Sequence, residues 1–374
     1  MKSTSPIKTI LHVIDTTGPG GAETVFIELA DRMRQRGYRS IVLIRGPGWV
    51  NDQLVARGFQ PYIVDAKGSF NWRFLRDMLR IIRTEKVDVI QSHLLGSNVY
   101  CAMAGLLARK PVIATFHGMV DVGPNERFRG AKLWLMNRGV TRFVAVSKNL
   151  RDAIEREGLL DASRCDVIYN GIDLVRYGRS NNRELRERLG VADDTILIGS
   201  LGNVRPAKAY DLLIKAARRV IDQRPDAHFV IAGDAKNSLH KKHAALADEL
   251  GVSDHIHFIG FCNDSAGYLA QLDYFLLTST SEGLSIATIE ALATGLPAVV
   301  TRCGGPEEIV TPDQDALMVD IDADAIAEGV LRLLGDRALA VRIGQKGVET
   351  ASARFSMEAM LGAYSTLYLM SYPT

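Results

Sequence analysis

Apolar residues in the first half of the chain gather in short, continuous, β-branched runs separated by amphipathic stretches. The runs at 10–14, 40–44, 60–64, 87–91, 112–115 and 142–146 read as strands, because a strand covered on both faces is apolar throughout rather than alternating. Between them, 23–36 (closed by Gly37) and 74–84 carry helical spacing. The second half repeats the rhythm, with strands expected at 196–201, 228–232, 256–259, 274–277, 298–301 and 316–319. Helices are expected there at 210–224, 239–250, 285–293 and 323–335. Strand–helix alternation implies parallel sheets flanked by helices, here an α/β chain with two Rossmann-like halves. The halves are placed at 1–174 and 175–354, with the linker at 170–178, where Gly171 and Gly178 break the pattern. Residues 355–374 add a last helix, with Met357, Met360, Leu361, Tyr364 and Leu367 apolar. Two such open sheets facing each other would form a cleft. Ligands of these sheets bind at the carboxyl ends of the strands, so chemistry is expected in the loops that follow each strand.

Length and composition agree with two ordinary domains. The chain has 374 residues, 47% hydrophobic and 24% charged, which excludes a disordered, collagen-like or coiled-coil protein. Mean hydropathy is +0.02, and no run approaches the ~20 apolar residues of a membrane span. The start of the chain shows no secretory signal pattern. Cys101, Cys165, Cys262 and Cys303 are scattered without a C-x-x-C pair, as expected of reduced thiols in a cytoplasmic protein and not of a zinc site. Net charge is only +2, yet residues 1–174 hold 25 basic and 17 acidic side chains while the rest holds 20 and 26. That asymmetry either orients the protein toward an anionic partner or is uneven surface decoration. It is the only feature favouring nucleic acid, and none is expected.

Five loops follow strands and carry candidate chemistry. Gly18-Pro19-Gly20-Gly21-Ala22-Glu23 lies between a strand and a helix. Its glycines would let backbone amides approach an anion at a helix N-terminus, or simply make a tight turn. It is not G-x-G-x-x-G, so the dinucleotide fingerprint is missing. Gly202-Asn203-Val204-Arg205-Pro206-Ala207-Lys208 sets a planar fork and a point charge three residues apart, a suitable pair for a diphosphate or two surface cations. Ser281 to Ala291 carries Glu282 in a loop and Glu290, eight positions on, in the following helix. Ile286, Ile289 and Leu292 suit the packed face of that helix. Amides at Gly283, Leu284 and Ser285 suit a phosphate and the carboxylates suit sugar hydroxyls. The plainer alternative is an ordinary first-turn acid and a solvated helix residue. Cys303-Gly304-Gly305-Pro306-Glu307-Glu308 is another glycine-rich strand end, and Thr115-Phe116-His117-Gly118 places a histidine at a fifth.

Together these loops stop being independent signals. Ser281 to Glu290, the following Ala291-Leu292-Ala293-Thr294-Gly295-Leu296-Pro297, and Gly304-Gly305 to Glu308 resemble the E-x7-E region of retaining glycosyltransferases. The resemblance is to family 4 of those enzymes, with the GT-B fold of two facing Rossmann-like domains. Gly20-Gly21-Ala22-Glu23, His117-Gly118, Val144-Ala145-Val146-Ser147 and Val167 to Asp173 extend it over nearly the whole chain. The resemblance implies metal-independent transfer of a sugar, with retention, from a UDP-sugar (a GDP-sugar as second choice) to a glycan or lipid-linked acceptor, with no cofactor required. It gives the N-terminal half the acceptor and the C-terminal half the donor, with the last helix packing back on the first domain. It places Arg205 and Lys208 on the diphosphate and Glu290 on the ribose. Glu282, with the amides of Leu284, Ser285 and Ile286, would hold the donor sugar and phosphate. The Gly20-Gly21 loop would close over the phosphates, His117 would lie near the transferred sugar, and Gly260-Phe261 would flank the base. Asn203, Ala209 and Ser285 depart from residues common in the family, without loss of charged groups.

Trp72 to Arg83 and Arg127 to Met136 read as basic amphipathic stretches, either lying on an anionic membrane or packing one face on the sheet. Peripheral contact at the inner face of the cell membrane is the corresponding expectation. Other functions for the fold are a sugar phosphorylase, a nucleotide-sugar epimerase and a non-catalytic nucleotide-sugar binder. The first would need a Schiff-base lysine and a longer chain, the second lacks the E-x7-E loop, and the third would have lost a charged donor residue.

Overall fold

The computed structural model describes residues 8–65, 71–118, 127–158, 160–235 and 238–371. The first seven residues and the last three, which the readings of the N-terminus and of the last segment include, lie outside the described residues. The chain divides into two compact units, Met1–Asn170 with Glu358–Thr374, and Gly171–Met357.

The first unit alternates β1 (Thr9–Ile14), α1 (Gly21–Gln35), β2 (Arg39–Ile44), α2 (Trp49–Ala56), β3 (Tyr62–Ile63), α3 (Trp72–Thr84) and β4 (Val89–His93). It continues through α4 (Leu95–Ala108), β5 (Val112–Phe116), α5 (Arg129–Gly139), β6 (Arg142–Ala145), α6 (Lys148–Arg156) and β7 (Cys165–Val167). Its sheet is parallel, in the order β3-β2-β1-β4-β5-β6-β7. One core cluster joins Ile14, Val42 and Ile44 of the sheet to Phe26, Ile27 and Ala30 of α1.

The second unit runs α7 (Glu184–Leu189), β8 (Ile196–Leu201), α8 (Tyr210–Gln223), β9 (Ala227–Ala232), α9 (Ser238–Glu249), β10 (Ile256–Gly260) and α10 (Ser265–Leu269). Then follow β11 (Tyr274–Leu277), α11 (Ile286–Thr294), β12 (Ala298–Thr301), α12 (Pro306–Ile309), β13 (Leu317–Val319), α13 (Ala323–Gly335) and α14 (Arg337–Arg354). Its parallel order is β10-β9-β8-β11-β12-β13. The closing helix, α15 (Met357–Ser371), returns to the first unit.

Several expected boundaries shift for physical reasons. The strand expected at 60–64 shrinks to the two exposed residues of β3, since Pro61 has no amide to donate to a ladder. The strand expected at 87–91 is β4, two residues later. Lys86 turns left-handed (φ 51°), and the Asp88 carboxylate accepts the amides of Lys8 and Thr9 at 2.9 and 3.0 Å. The polar end Gln91-Ser92-His93 stays in the ladder because its side chains find partners inside. The helix expected from 285 starts at Ile286, with the Ser285 hydroxyl capping it. The last helix starts at Met357 rather than 355, because Phe355 and Met357 hydrogen-bond to Ile172 at 2.9 Å each. Among the described residues no helix is long and apolar enough to cross a membrane.

Candidate active site

In each sheet the strand order reverses direction beside the first strand, between β1 and β4 and between β8 and β11. Loops leaving the two strands at such a point diverge to opposite faces and leave a crevice, which is where open α/β sheets bind ligands. Each unit therefore has one favoured place; the candidate loops after β1, β8 and β11 leave from it, whereas His117 follows β5, Gly260-Phe261 end β10 and the Cys303–Glu308 loop follows β12.

In the second unit the loop after β8 and the loop after β11 meet through charge. Lys208 Nζ donates to Glu282 Oε1 at 2.7 Å, and the Ser279 hydroxyl donates to the same oxygen at 2.6 Å. The Thr278 hydroxyl donates to the Lys208 carbonyl at 2.9 Å, and the Thr280 amide to that of Ala207 at 2.8 Å. Burial works against the Lys208 ammonium, but the Glu282 carboxylate and its hydrogen bond outweigh this and hold the amine above the usual lysine value. Gly202 makes room for this side chain. A Cβ there would come within 2.5 Å of the Lys208 Cε. Arg205, by contrast, is exposed, and its guanidinium has no ion-pair partner among the described residues. The structure thus separates the two expected cations into one fixed and one solvated. Asn203 Oδ1 accepts the Asp234 amide at 2.9 Å, tying the loop to the end of β9.

The fourth loop supports the third. Glu282 bridges in parallel to Gly304, its amide donating to Cys303 (3.1 Å) and its carbonyl accepting from Gly305 (3.1 Å). A Cβ on Gly305 would sit 3.0 Å from the Leu284 Cα, so glycine permits this approach. Gly283 is half-buried, while Leu284 and Ser285 are buried. The first-turn amides of Ile286 and Ala287 have no acceptor within their helix, as at any helix start. Ile289 and Leu292 pack inward as expected, but Ile286 is only half-buried.

Glu290 is not a solvated helix residue; it is buried. Its Oε1 accepts from the Tyr177 hydroxyl at 2.6 Å and the Ser265 hydroxyl at 3.0 Å. Burial raises its pKa, only partly offset by those hydroxyls and by Arg176. Neither Tyr177 nor Ser265 stands out in the sequence; Tyr177 falls in the stretch read as linker. Gly260 ends β10 with a left-handed φ of 78°, its carbonyl accepting from Gly233 at 2.8 Å, and the Phe261 ring that follows is exposed.

In the first unit Gly20 caps α1 and Gly21 opens it, the Gly20 carbonyl taking the Thr24 amide at 2.9 Å. His117 follows β5, its Nε2 2.9 Å from Nδ1 of His93 at the end of β4, with the rings stacked 5.2 Å apart. Burial lowers His117 to about 4, keeping it neutral at ordinary pH. Asp15, at the end of β1, was missed by the sequence reading. Burial raises its pKa against the opposing pull of backbone hydrogen bonding, Arg45 and Ser97. Its one sequence signal was an acid directly after the first strand.

Comparison with known proteins agrees with this layout. The family described as Glycosyltransferase Family 4 matches residues 19–176, and Glycosyl transferases group 1 matches residues 181–350. The lipopolysaccharide core biosynthesis glycosyltransferase LpsE of Rhizobium meliloti (strain 1021) is 34% identical, over 93% of this chain and 95% of its own length. A UDP-Gal:alpha-D-GlcNAc-diphosphoundecaprenol alpha-1,3-galactosyltransferase of Escherichia coli is 26% identical over 71% of both chains. The crystal structure of Anabaena HepE in complex with UDP and glucose superposes with a TM-score of 0.87 at 23% identity, covering 96% of this chain and 99% of that one. With two parallel sheets in this strand order and a relative so similar over nearly its whole length, the chain belongs to the family 4, group 1 glycosyltransferases of GT-B fold.

Proposed function

We propose that this enzyme transfers a sugar from a nucleoside diphosphate sugar, with retention, to a glycan or lipid-linked acceptor of a cell-surface polysaccharide or lipopolysaccharide. The observation that carries the reading is the Lys208–Glu282 pair at 2.7 Å, set at the reversal point of the second sheet beside the start of α11. The leaving group is a diphosphate, so negative charge grows on it as the glycosidic bond breaks. A lysine fixed by a carboxylate, a solvated Arg205 and first-turn amides of α11 are charges and dipoles already in place for that moment. Glu282 keeps the ammonium aimed and accepts sugar hydroxyls. Glu290, already taking two hydroxyl donors on one oxygen, suits a ribose diol by the same chemistry. Gly260 and Phe261 would flank the base.

In this reading 175–354 is the donor domain, and 1–174 with the last helix is the acceptor domain, with Gly20-Gly21 near the phosphates and His117 near the transferred sugar. Same-face attack, with the departing phosphate taking the acceptor proton, needs no protein nucleophile. UDP is the first choice of nucleotide and GDP the second. The UDP-Gal in the name of the Escherichia coli relative supports a nucleotide-sugar donor, the UDP complex of the HepE neighbour supports UDP, and the name of the LpsE relative supports the lipopolysaccharide setting.

The test is a donor screen by thermal shift and nucleotide release, using UDP-, GDP- and ADP-sugars with and without EDTA. Stabilisation and slow hydrolysis with one donor are expected, insensitive to EDTA and lost in Glu290→Ala. A folded protein that binds no nucleotide sugar would overturn the reading. Membrane contact is the outermost part of the proposal. The outward face of α3 carries Trp72, Arg73, Arg76, Arg80 and Arg83, while Phe74, Leu75, Met78, Ile81 and Ile82 pack inward. Trp134 on α5 is also exposed, beneath Arg138 at 4.9 Å. Flotation with anionic vesicles at low salt is expected and should be lost at high salt.

A further inference from the structure

The interior of the first sheet carries a polar chain that the proposed chemistry does not use. Tyr368, on the last helix, donates its hydroxyl to Gln91 Oε1 at 3.1 Å. Gln91 Nε2 lies 2.9 Å from Thr115 Oγ1, 3.3 Å from the Ser92 carbonyl and 3.3 Å from His93 Nε2. His93 Nδ1 in turn lies 2.9 Å from His117 Nε2. Tyr364, one turn before Tyr368, meets Thr115 Oγ1 at 3.1 Å. Gln91, His93, Thr115, Tyr364 and Tyr368 are all buried.

The order of donors along this chain follows from what each partner can accept. The Ser92 carbonyl only accepts, so the nitrogen of the Gln91 amide must face it and the oxygen must face Tyr368. An amide NH2 cannot accept, so the bare nitrogen of His93 fits beside it, sharing with the Ser92 carbonyl the amide hydrogen not given to Thr115. Burial disfavours the charged form of His93, which is lowered well below the usual histidine value. A neutral His93 with Nε2 bare carries its proton on Nδ1, which then donates to His117 Nε2. The opposite direction would set an Nε2–H of His93 against an NH2.

We infer that Gln91 and Tyr368 are positioning residues that fix His117 as its Nδ1–H tautomer, with its Nε2 occupied by His93. His117 therefore meets substrate as a neutral group of fixed orientation rather than as a proton shuttle through Nε2. The last helix, nearly 250 residues further along the chain, helps to set a ring at the end of β5. The catalytic consequence rests on the reading that His117 lies near the transferred sugar, but the tautomer does not.

The test uses the full chain labelled with 15N-histidine. Two-bond 1H–15N correlation spectra at neutral pH distinguish the tautomers, and His117 is assigned from the signal lost in His117→Gln. A pyrrole-type Nδ1 and a pyridine-type Nε2 are expected. An Nε2–H tautomer or an imidazolium would overturn the inference. In Tyr368→Phe, kcat should fall about 3- to 10-fold, the size of one hydrogen bond, at unchanged KM for the donor. Gln91→Leu should shift or mix the His117 tautomer. Wild-type spectra and kcat in both folded variants would also overturn it. The expected tautomer together with full turnover in His117→Ala would support the relay and remove His117 from the transfer reaction.

Discussion

The two sheets share one strand order at their reversal points, β2-β1-β4 in the first unit and β9-β8-β11 in the second, yet their strand ends are furnished differently. The first sheet ends β4 and β5 in neutral imidazoles: His93 and His117 are held uncharged by burial. The second ends in a formal ion pair, Lys208–Glu282, with the exposed Arg205 on the same loop. A shared topology thus supplies two crevices of opposite electrostatic character. A charged crevice suits a leaving diphosphate, and a neutral one suits sugar hydroxyls, which need orientation more than charge.

The largest expected effect breaks the charged crevice. Lys208→Ala removes the fixed cation and leaves Glu282 without its partner, so kcat/KM for the donor should fall about 10²- to 10³-fold. Initial-rate kinetics on protein shown folded by circular dichroism would check this, and near wild-type rates would discard the comparison. Glu290→Ala comes next. It removes a buried acceptor of two hydroxyls, so the donor KM should rise about 10- to 100-fold. Donor titration by calorimetry would measure the matching loss of affinity.

The neutral crevice should fail with acid. His12, buried on β1 with neither ring nitrogen hydrogen-bonded among the described residues, is lowered to about 3 by burial, and His117 to about 4. Below the unfolded value of about 6.5, the unfolded chain binds protons that the folded chain refuses. The stability is therefore complete above about pH 6.5 and drains as pH falls toward 4, by about 1.4 kcal/mol per unit for each such group. Urea midpoints at about pH 7, 6 and 5 should fall in that order, and a flat series would contradict the neutral character of the first sheet. The smallest effect is expected from Arg205→Ala. An exposed cation with no ion-pair partner among the described residues should contribute about 3- to 10-fold to kcat/KM, shrinking as salt rises. A salt series on wild type and variant would show the two rates converging.

Much of this architecture was legible in the sequence because buried parallel strands are apolar throughout and helices between them are amphipathic. Where those signals weaken, the reading slipped. The expected strand stopped at Gln91 and left out the polar Ser92-His93, yet these form the end of β4, since only tertiary partners could satisfy those side chains. The first turn of helix α4 holds Gly96, Ser97 and Asn98 after Leu95, and the helix carries Gly105, none of the four a strong helix former, and it went unread. The glutamates 282 and 290 were found by their spacing. The groups that hold them, Ser279, Tyr177 and Ser265, were not, because a hydroxyl has no spacing rule and is recruited across the fold. The same holds for the Tyr364 and Tyr368 rings: the hydrophobic pattern registers one as apolar and passes over the other, and it records neither hydroxyl.

The return of α15 to the first unit has a consequence for how the protein is made. A chain emerging from the ribosome presents β1 to β7 long before residues 357–371 exist. Until then Gln91 and Thr115 lack the tyrosines that complete their bonding, and the Met33 and Tyr38 region lacks Ser365 and Tyr368. The second unit, Gly171–Met357, can close on itself first, and the earliest part of the polypeptide is finished last. A stop codon in place of Glu358 would therefore damage the N-terminal unit and spare the one next to the break.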